Sequence, residues 1–234
     1  MTIEAQPLLV IMAKAPRPGV VKTRLAACLP LPGILDLYRC LLGDTMALAQ
    51  SLEGIETAIM SPAGDVEKLY GVVDLGVPVV AQTGEGLGAA LTSVFAHFTA
   101  AGRRRVVAFN CDSPHLPPSA LLSAFEALAS CDVVVGPTHD GGYYLVGATL
   151  AHPGLFAGSS MGTTSALEAL LARVRSLSLT VRFTDPFYDI DVPEDLNQLA
   201  EDLRLNPERA PRTARWLTEW ARTPAQSGAG GADA

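Results

Sequence analysis

Lysine is nearly absent from this chain, which holds only Lys14, Lys22 and Lys68, and positive charge as a whole is outnumbered: 17 Lys and Arg stand against 24 Asp and Glu, a net charge of −7. That balance excludes a protein that grips nucleic acid through its overall charge, because phosphate contacts need clustered cations. It leaves room for a small anionic ligand held by a local basic loop. Long apolar runs are also missing. No stretch approaches the roughly twenty apolar residues of a membrane span, and the first run, Leu8 to Ala13, is too short for a signal-peptide core and follows Glu4 rather than basic residues. A cytoplasmic protein is expected. The four cysteines, Cys28, Cys40, Cys111 and Cys131, show no CxxC spacing, which argues for reduced structural thiols over a zinc site or a disulfide. No Ser or Cys nucleophile motif accompanies His139, so a hydrogen-bonded loop histidine is the simpler account of it than a catalytic base.

What the chain does have is a series of buried-strand signals alternating with helical stripes, the pattern of an α/β domain with a mostly parallel sheet. Leu8 to Ala13 is a continuous apolar run and predicts the first strand. Two of the three lysines follow it at once, in Lys14-Ala15-Pro16-Arg17-Pro18-Gly19-Val20-Val21-Lys22-Thr23-Arg24. Four cations directly after a first strand make a phosphate-binding loop at the sheet's carboxyl edge, against the alternative of a solvated surface loop. It is not a P-loop: Val21 precedes Lys22-Thr23 where that motif has Gly, and Pro16 stands at the earlier Gly position.

Ile34, Leu37, Tyr38, Leu41, Thr45 and Leu48 recur at helical spacing and predict the first crossover helix. Strands are expected at Thr57–Met60 and at Pro78–Ala81, the second leading into Gln82-Thr83-Gly84-Glu85-Gly86-Leu87-Gly88-Ala89. Gly84, Gly86 and Ala89 satisfy G-x-G-x-x-A in form. The match follows the third strand, however, and about twenty residues on it meets Arg103 to Arg105 instead of an acid for a ribose, so a dinucleotide fold is improbable. A glycine loop entering a helix lets a ligand approach the backbone, or is simply a turn.

Val106-Val107-Ala108-Phe109-Asn110-Cys111-Asp112-Ser113-Pro114 is a strand ending on one carboxylate, closed by Pro114 and Pro117, with a helix on Leu121, Leu122, Phe125 and Leu128 to follow. Asp112 therefore anchors a metal or nucleotide site at the carboxyl end of a strand. Val133 to Gly136 predicts a fifth strand, and its exit, Thr138-His139-Asp140-Gly141-Gly142-Tyr143-Tyr144, offers Asp140 for polar contact with a ligand and two glycines for close approach. The threonines of Met161-Gly162-Thr163-Thr164 can cap a helix through Leu167, Leu170 and Leu171, and Leu177 to Phe183 is expected as the last strand.

In Asp189-Ile190-Asp191-Val192-Pro193-Glu194-Asp195, the first two acids lie two apart and face the same way in extended geometry, while Glu194 and Asp195 open a helix. Asp191, with Asp189 as an option, joins Asp112 as a candidate ligand for Mg²⁺ or Mn²⁺, since Mg²⁺ shared with substrate phosphates takes only one or two protein carboxylates. A final helix with Trp216, Leu217 and Trp220 packs across the domain or on another subunit. One domain over 1–222 and a disordered Gly, Ala, Ser and Pro tail over 223–234 are the expected organisation.

The segments Ala13-Lys14-Ala15-Pro16 with Gly19-Val20-Val21-Lys22-Thr23-Arg24-Leu25, Asp112-Ser113-Pro114-His115-Leu116-Pro117, Asp140-Gly141-Gly142-Tyr143-Tyr144-Leu145 and Asp189 to Leu196 resemble, in the same order, motifs of the bacterial DUF2064 family. That family sits in the nucleotide-diphospho-sugar transferase superfamily with the GT-A fold, and its members are often labelled glycosyltransferases. The resemblance spans roughly residues 7 to 222 and extends, more distantly, to the guanylyltransferases of cofactor F420 and molybdenum cofactor synthesis. It implies that Lys14, Lys22 and Arg24 hold the phosphates, that Gly84 to Leu91 lies along the base and ribose, and that Asp112 and Asp191 bind the metal; the residues expected at the nucleotide are thus Ala13, Lys14, Arg17, Lys22, Arg24, Gln82, Gly84, Gly86, Leu87, Gly88, Asp140, Gly141 and Gly142.

Two departures stand out. Asn110-Cys111 precedes the aspartate where relatives more often have Gly-Thr, and Met161-Gly162-Thr163-Thr164 replaces a Trp-Ser-Thr pattern, which bears on acceptor recognition. Metal-dependent GT-A glycosyltransferases usually show Asp-x-Asp after the fourth strand, whereas Asn110-Cys111-Asp112 is similar to the single aspartate of nucleotidyltransferases. The resemblance thus implies transfer of a nucleotidyl group from an NTP to a small phosphorylated or hydroxylated acceptor, with Lys22, Arg24 and Asp112 as catalytic groups. Glycosyl transfer from a nucleotide sugar, and a nucleotide-binding module without turnover, are the alternatives. The base, the acceptor and the oligomeric state, a homodimer included, are left open.

Overall fold

A computed structural model of the chain describes residues 6–72, 76–158 and 165–222. The expected tail and the Met161–Thr164 segment lie outside the described residues.

Seven strands form one sheet in the order β3-β2-β1-β4-β6-β5-β7, where β1 is Leu8–Met12, β2 Glu56–Pro62, β3 Val79–Gln82, β4 Val106–Asn110, β5 Val133–Pro137, β6 Tyr143–Ala148 and β7 Val181–Phe183. Every ladder is parallel except those on either side of β6, which runs backwards between β4 and β5. The insertion is tight. A Cβ added at Gly147 would lie 2.7 Å from Val134 and 2.9 Å from Val107, so the two flanking strands close over a residue with no side chain.

Among the described residues the α-helices are α1 Leu31–Gln50, α2 Val66–Tyr70, α3 Gly86–Ala100, α4 Pro118–Ala127, α5 Ala166–Ser176, α6 Pro193–Leu205 and α7 Pro211–Arg222. Alternation along the strands sends side chains to two cores. Leu9, Ile11, Val107 and Phe109 pack with Tyr38, Leu42 and Met46 of α1 and Leu121 and Phe125 of α4. Leu8, Val10, Val106 and Ala108 pack with Leu91, Val94 and Phe95 of α3 and Leu170 and Val174 of α5. Each fully buried Leu, Ile or Phe contributes about 1.5–3 kcal/mol relative to exposure, so a sheet covered on both faces is what such continuous apolar strands require.

Three details differ from the sequence expectation, and a fourth meets one of its two alternatives. Leu122 is 40% exposed and does not cover the sheet, because its neighbour Leu121 already takes the inward direction of α4. The last strand starts only at Val181, since Leu177 closes α5 and Ser178 adopts φ 54°. Of the three leucines expected to form the α5 stripe, only Leu170 is fully buried, with Leu167 and Leu171 half-buried and Ala166 and Val174 completing the buried face. The final helix packs within the same chain: α7 lies along α1, where the Trp220 ring meets Gly33 and the buried Asp44 carboxylate takes the N–H and hydroxyl of Thr213, both at 2.8 Å. Among the described residues no helix is long and apolar enough to cross a membrane.

Parallel strands put their carboxyl ends on one edge. The segments after Met12, Pro62, Gln82, Asn110, Pro137 and Phe183 all leave there. Between β1 and β4 the winding reverses, because the chain moves outward to β2 and β3 and then returns to pair β4 with β1. A crevice outside the strand ends at such a switch point is where open α/β sheets bind ligands.

Candidate functional site

A cleft of about 800 Å³ occupies that switch point. Its floor is the ends of β1 and β4, through Met12, Ala13 and Asn110; Gln82, Gly84, Gly86 and Leu87 form one wall, and Tyr143, Asp112 and Asp189 the other. Lys14 projects into it from the β1 exit.

The first loop is held in place by buried groups on two other elements. The Tyr38 hydroxyl, on α1, donates to the Lys14 carbonyl at 3.0 Å and accepts the Lys14 N–H at 3.1 Å, while lying 3.3 Å from the Cys111 sulfur. Burial, with the nearby Cys111 and Asp112, pushes the Tyr38 phenol well above its usual value and keeps it protonated. The same surroundings push the Cys111 thiol up to about 12, burial first and Asp112 second. One residue further, Ala15 donates its N–H to Asp65 at 3.1 Å, and the Arg17 guanidinium meets the other oxygen of that fully buried carboxylate at 2.7 Å. Arg17 thus fastens the loop to the segment after β2 instead of presenting a free guanidinium to the cleft.

Lys22 makes the central contact. Its ammonium lies 2.6 Å from Asp112 and 2.9 Å from Asp191, with the lysine side chain 3% exposed. Burial alone would lower the lysine pKa; the charges and hydrogen bonds of Asp112 and Asp191 more than reverse this and hold it above the ordinary value. The Asp189-Ile190-Asp191 segment reaches Asp112 because the Ile190 N–H donates to the Asp112 carbonyl at 3.0 Å and the Ser113 hydroxyl donates to the Tyr188 carbonyl at 2.9 Å. Asp195 caps the following helix, accepting the N–H groups of Asp191 and Val192, both at 2.8 Å. Asp189 faces the cleft; burial, then the charges of Asp191 and Asp112, raise its carboxyl to about 6.

Asn110 does not act as a second acid in the manner of Asp-x-Asp. Its side-chain oxygen accepts the Asp112 N–H at 3.2 Å and shapes the turn that aims the one carboxylate.

Ala13, Lys14, Gln82, Gly84, Gly86, Leu87, Asp112 and Asp189 share the cleft, and Lys22 and Asp191 join through Asp112. Gly88 lies behind the glycine loop, lining a neighbouring cavity of about 580 Å³. Arg24 is exposed on the 3-10 turn Thr23–Ala27. Asp140 closes its own turn, accepting the Thr138 hydroxyl at 2.5 Å and the Gly142 N–H at 3.2 Å, and neither it nor Gly141 and Gly142 lines the cleft. His139 is exposed. Tyr38 and Asp65 were not singled out as site residues in the sequence: the tyrosine sits in an apolar helical stripe, and only the unmatched charge of Arg17 hinted at a buried acid.

Two carboxylates converging on one cation beside a cleft give the hard oxygen donors that Mg²⁺ or Mn²⁺ takes together with substrate phosphates, so Asp112 and Asp191 fit such an ion. A self-sufficient metal site is another matter. Among the described residues no group of three or more His, Cys, Asp or Glu could hold one.

Residues 45–163, a little over half of the chain, match the model of a family described as uncharacterized proteins conserved in bacteria (DUF2064). The matched part contains Asp112 and Asp140 but neither the lysine loop nor Asp191. A crystal structure of a candidate nucleotide-diphospho-sugar transferase from Desulfovibrio desulfuricans G20 is similar over 92% of this chain and 95% of that one, with 27% identity and a TM-score of 0.85. The synthetase for CMP-2-keto-3-deoxy-manno-octonic acid, in complex with CTP, shares the fold at 12% identity and a TM-score of 0.58, covering 86% of this chain and 100% of that one. So does 4-diphosphocytidyl-2C-methyl-D-erythritol synthase from Anaerococcus prevotii DSM 20548, at 13% identity and 0.56, over 86% and 96% of the two chains. No curated protein matches the chain.

Proposed function

The chain belongs to the bacterial DUF2064 family and has the fold of nucleotide-diphospho-sugar transferases, and from that premise we propose that it is a metal-dependent transferase moving a nucleotidyl group from an NTP to a small phosphorylated or hydroxylated acceptor. The observation that carries the proposal is the single carboxylate at the end of β4, paired through Lys22 with Asp191 at the mouth of the cleft, with Asn110 spent on the turn. One strand-end acid facing a lysine loop suits a triphosphate, whose leaving group is itself highly charged.

In this scheme the acceptor oxygen attacks the α-phosphorus in line and the bond to the bridging oxygen breaks to release pyrophosphate. Lys14 and Lys22 neutralise the phosphate chain, with Arg24 at its outer end, and the Gly84–Leu87 backbone lies along the nucleoside. Asp112 and Asp191 would hold the divalent ion, which supplies charge neutralisation at the phosphates when bound. Catalysis then rests on positioning by groups the fold has already fixed, Tyr38 and Asp65 among them, more than on covalent chemistry.

Glycosyl transfer is the second reading, favoured by the similarity to the Desulfovibrio protein, described as a nucleotide-diphospho-sugar transferase of candidate status. Incubation with each NTP, Mg²⁺ and phosphorylated or hydroxylated acceptors, and separately with nucleotide sugars, separates the two. Acceptor-dependent pyrophosphate release supports nucleotidyl transfer; UDP or GDP release from a nucleotide sugar, without pyrophosphate from any NTP, sinks it.

A further inference from the structure

The cation between Asp112 and Asp191 is the protein's own. Lys22 is placed there by its loop as well as by its charge: Val21 and Leu25 on either side are buried, and the lysine itself adopts φ 48° and ψ 40°, a left-handed conformation that residues other than glycine seldom take. A strained backbone held by packing on both flanks marks a position the surroundings over-determine. The ammonium is almost fully enclosed, whereas the Lys14 side chain is exposed and free to meet a ligand first.

A bare divalent ion approaching this pair faces two options. It must either displace a buried ammonium that is ion-paired to this same carboxylate pair, or share the two carboxylates with that ammonium under like-charge repulsion. Nucleotide phosphates change the balance, because they bring anionic oxygens to which Lys22 can turn while the ion takes the carboxylates.

We infer that Lys22 is the resident counter-ion of Asp112 and Asp191 and makes this carboxylate pair selective for a divalent ion that arrives on nucleotide phosphates over the free ion. The nucleotide half of the inference rests on the function proposed above. The exclusion of the free ion does not, and it can be tested without any reaction.

The test is Mn²⁺ binding to the full chain, followed by loss of the free-ion electron paramagnetic resonance signal with no nucleotide present. Wild type and Lys22→Arg should bind weakly. Lys22→Met and Lys22→Gln should bind about tenfold tighter or more, since the ion no longer competes with a buried charge, and Asp112→Asn added to either should remove the gain. Equal Mn²⁺ affinity in wild type and in both neutral variants overturns the inference. If the neutral variants do not fold, wild type alone decides: nucleotide-free Mn²⁺ binding that is tight and lost in Asp112→Asn overturns it, and weak binding that any of the four NTPs strengthens supports it. A protein that gains Mn²⁺ affinity on Lys22→Met yet releases no pyrophosphate would keep this inference and lose the proposed reaction.

Discussion

The Ile190 N–H donates to the Asp112 carbonyl at 3.0 Å, and that backbone bond couples the end of β4 to the segment that carries Asp189 and Asp191. With the Ser113 hydroxyl donating to the Tyr188 carbonyl beside it, the two acids are brought together by uncharged groups, so their approach does not depend on their charge. The carboxylate pair is therefore a product of the fold, and Lys22 answers it.

Asp112→Asn should accordingly fold but not work. Asn keeps the shape, Asp191 still lies 2.9 Å from Lys22, and Asp112 is itself partly exposed, so urea melts should lose no more than about 1–2 kcal/mol. Nucleotide turnover should fall by about 100-fold or more, the scale for losing a group aimed at developing charge. Retained turnover would mean that the reacting phosphates bind elsewhere.

Much of this arrangement is legible in the sequence. Apolar runs at Leu8 to Met12 and Val106 to Phe109, bounded by turn signals, read as buried strands, and their carboxyl ends locate Lys14 and Asp112 on one edge. Asp189 and Asp191 could be paired with Asp112 as candidates, but the Ile190 bond that joins them is a main-chain contact and leaves no mark in composition. Partner choice was equally hidden. Arg17 and Lys14 look alike in sequence, and only the fold shows that one is committed to Asp65 while the other faces the cleft. The antiparallel course of β6 was also hidden, because a buried strand has the same apolar run whichever way it points.

That difference between Lys14 and Arg17 is measurable. Lys14→Ala should raise the nucleotide KM about tenfold or more, the worth of a charge-assisted phosphate contact, and leave the urea midpoint unchanged. Arg17→Ala should do the reverse. It leaves the Asp65 carboxylate buried with the Ala15 N–H as its remaining partner, at a cost of order 1–3 kcal/mol, reduced because the guanidinium is partly in water. Equal effects of the two substitutions on KM would show that Arg17 also binds the nucleotide.

Tyr38→Phe isolates the clamp on the first loop. The ring remains in the core, but the Lys14 N–H and carbonyl both lose the hydroxyl that satisfies them. Two backbone groups left short of a partner should lower stability by about 1–3 kcal/mol and raise the nucleotide KM with kcat little changed, because loop position and not charge has been altered. A stability loss with an unaltered KM would confine Tyr38 to a packing role.

His115 sets the acid limit of the same region. It is 1% exposed, its ring lies 4.8 Å from that of Phe187 and 4.7 Å from that of Tyr188, and neither ring nitrogen has a hydrogen-bond partner among the described residues. Burial depresses its pKa from 6.5 to about 4, with Asp202 opposing the shift and Arg209 adding to it. The folded chain therefore binds fewer protons at this site than the unfolded chain between those two values, so stability is complete above pH 6.5, falls as the pH drops through the window and levels off near pH 4. The full loss is about 3 kcal/mol at 1.36 kcal/mol per pH unit. Because the histidine packs under the residues that lead into Asp189 to Asp191, acid should loosen the carboxylate segment along with the core. His115→Phe should flatten the urea-melt stability between pH 6.5 and 4, and a slope in that range as steep as the wild type's would assign the acid sensitivity to another group.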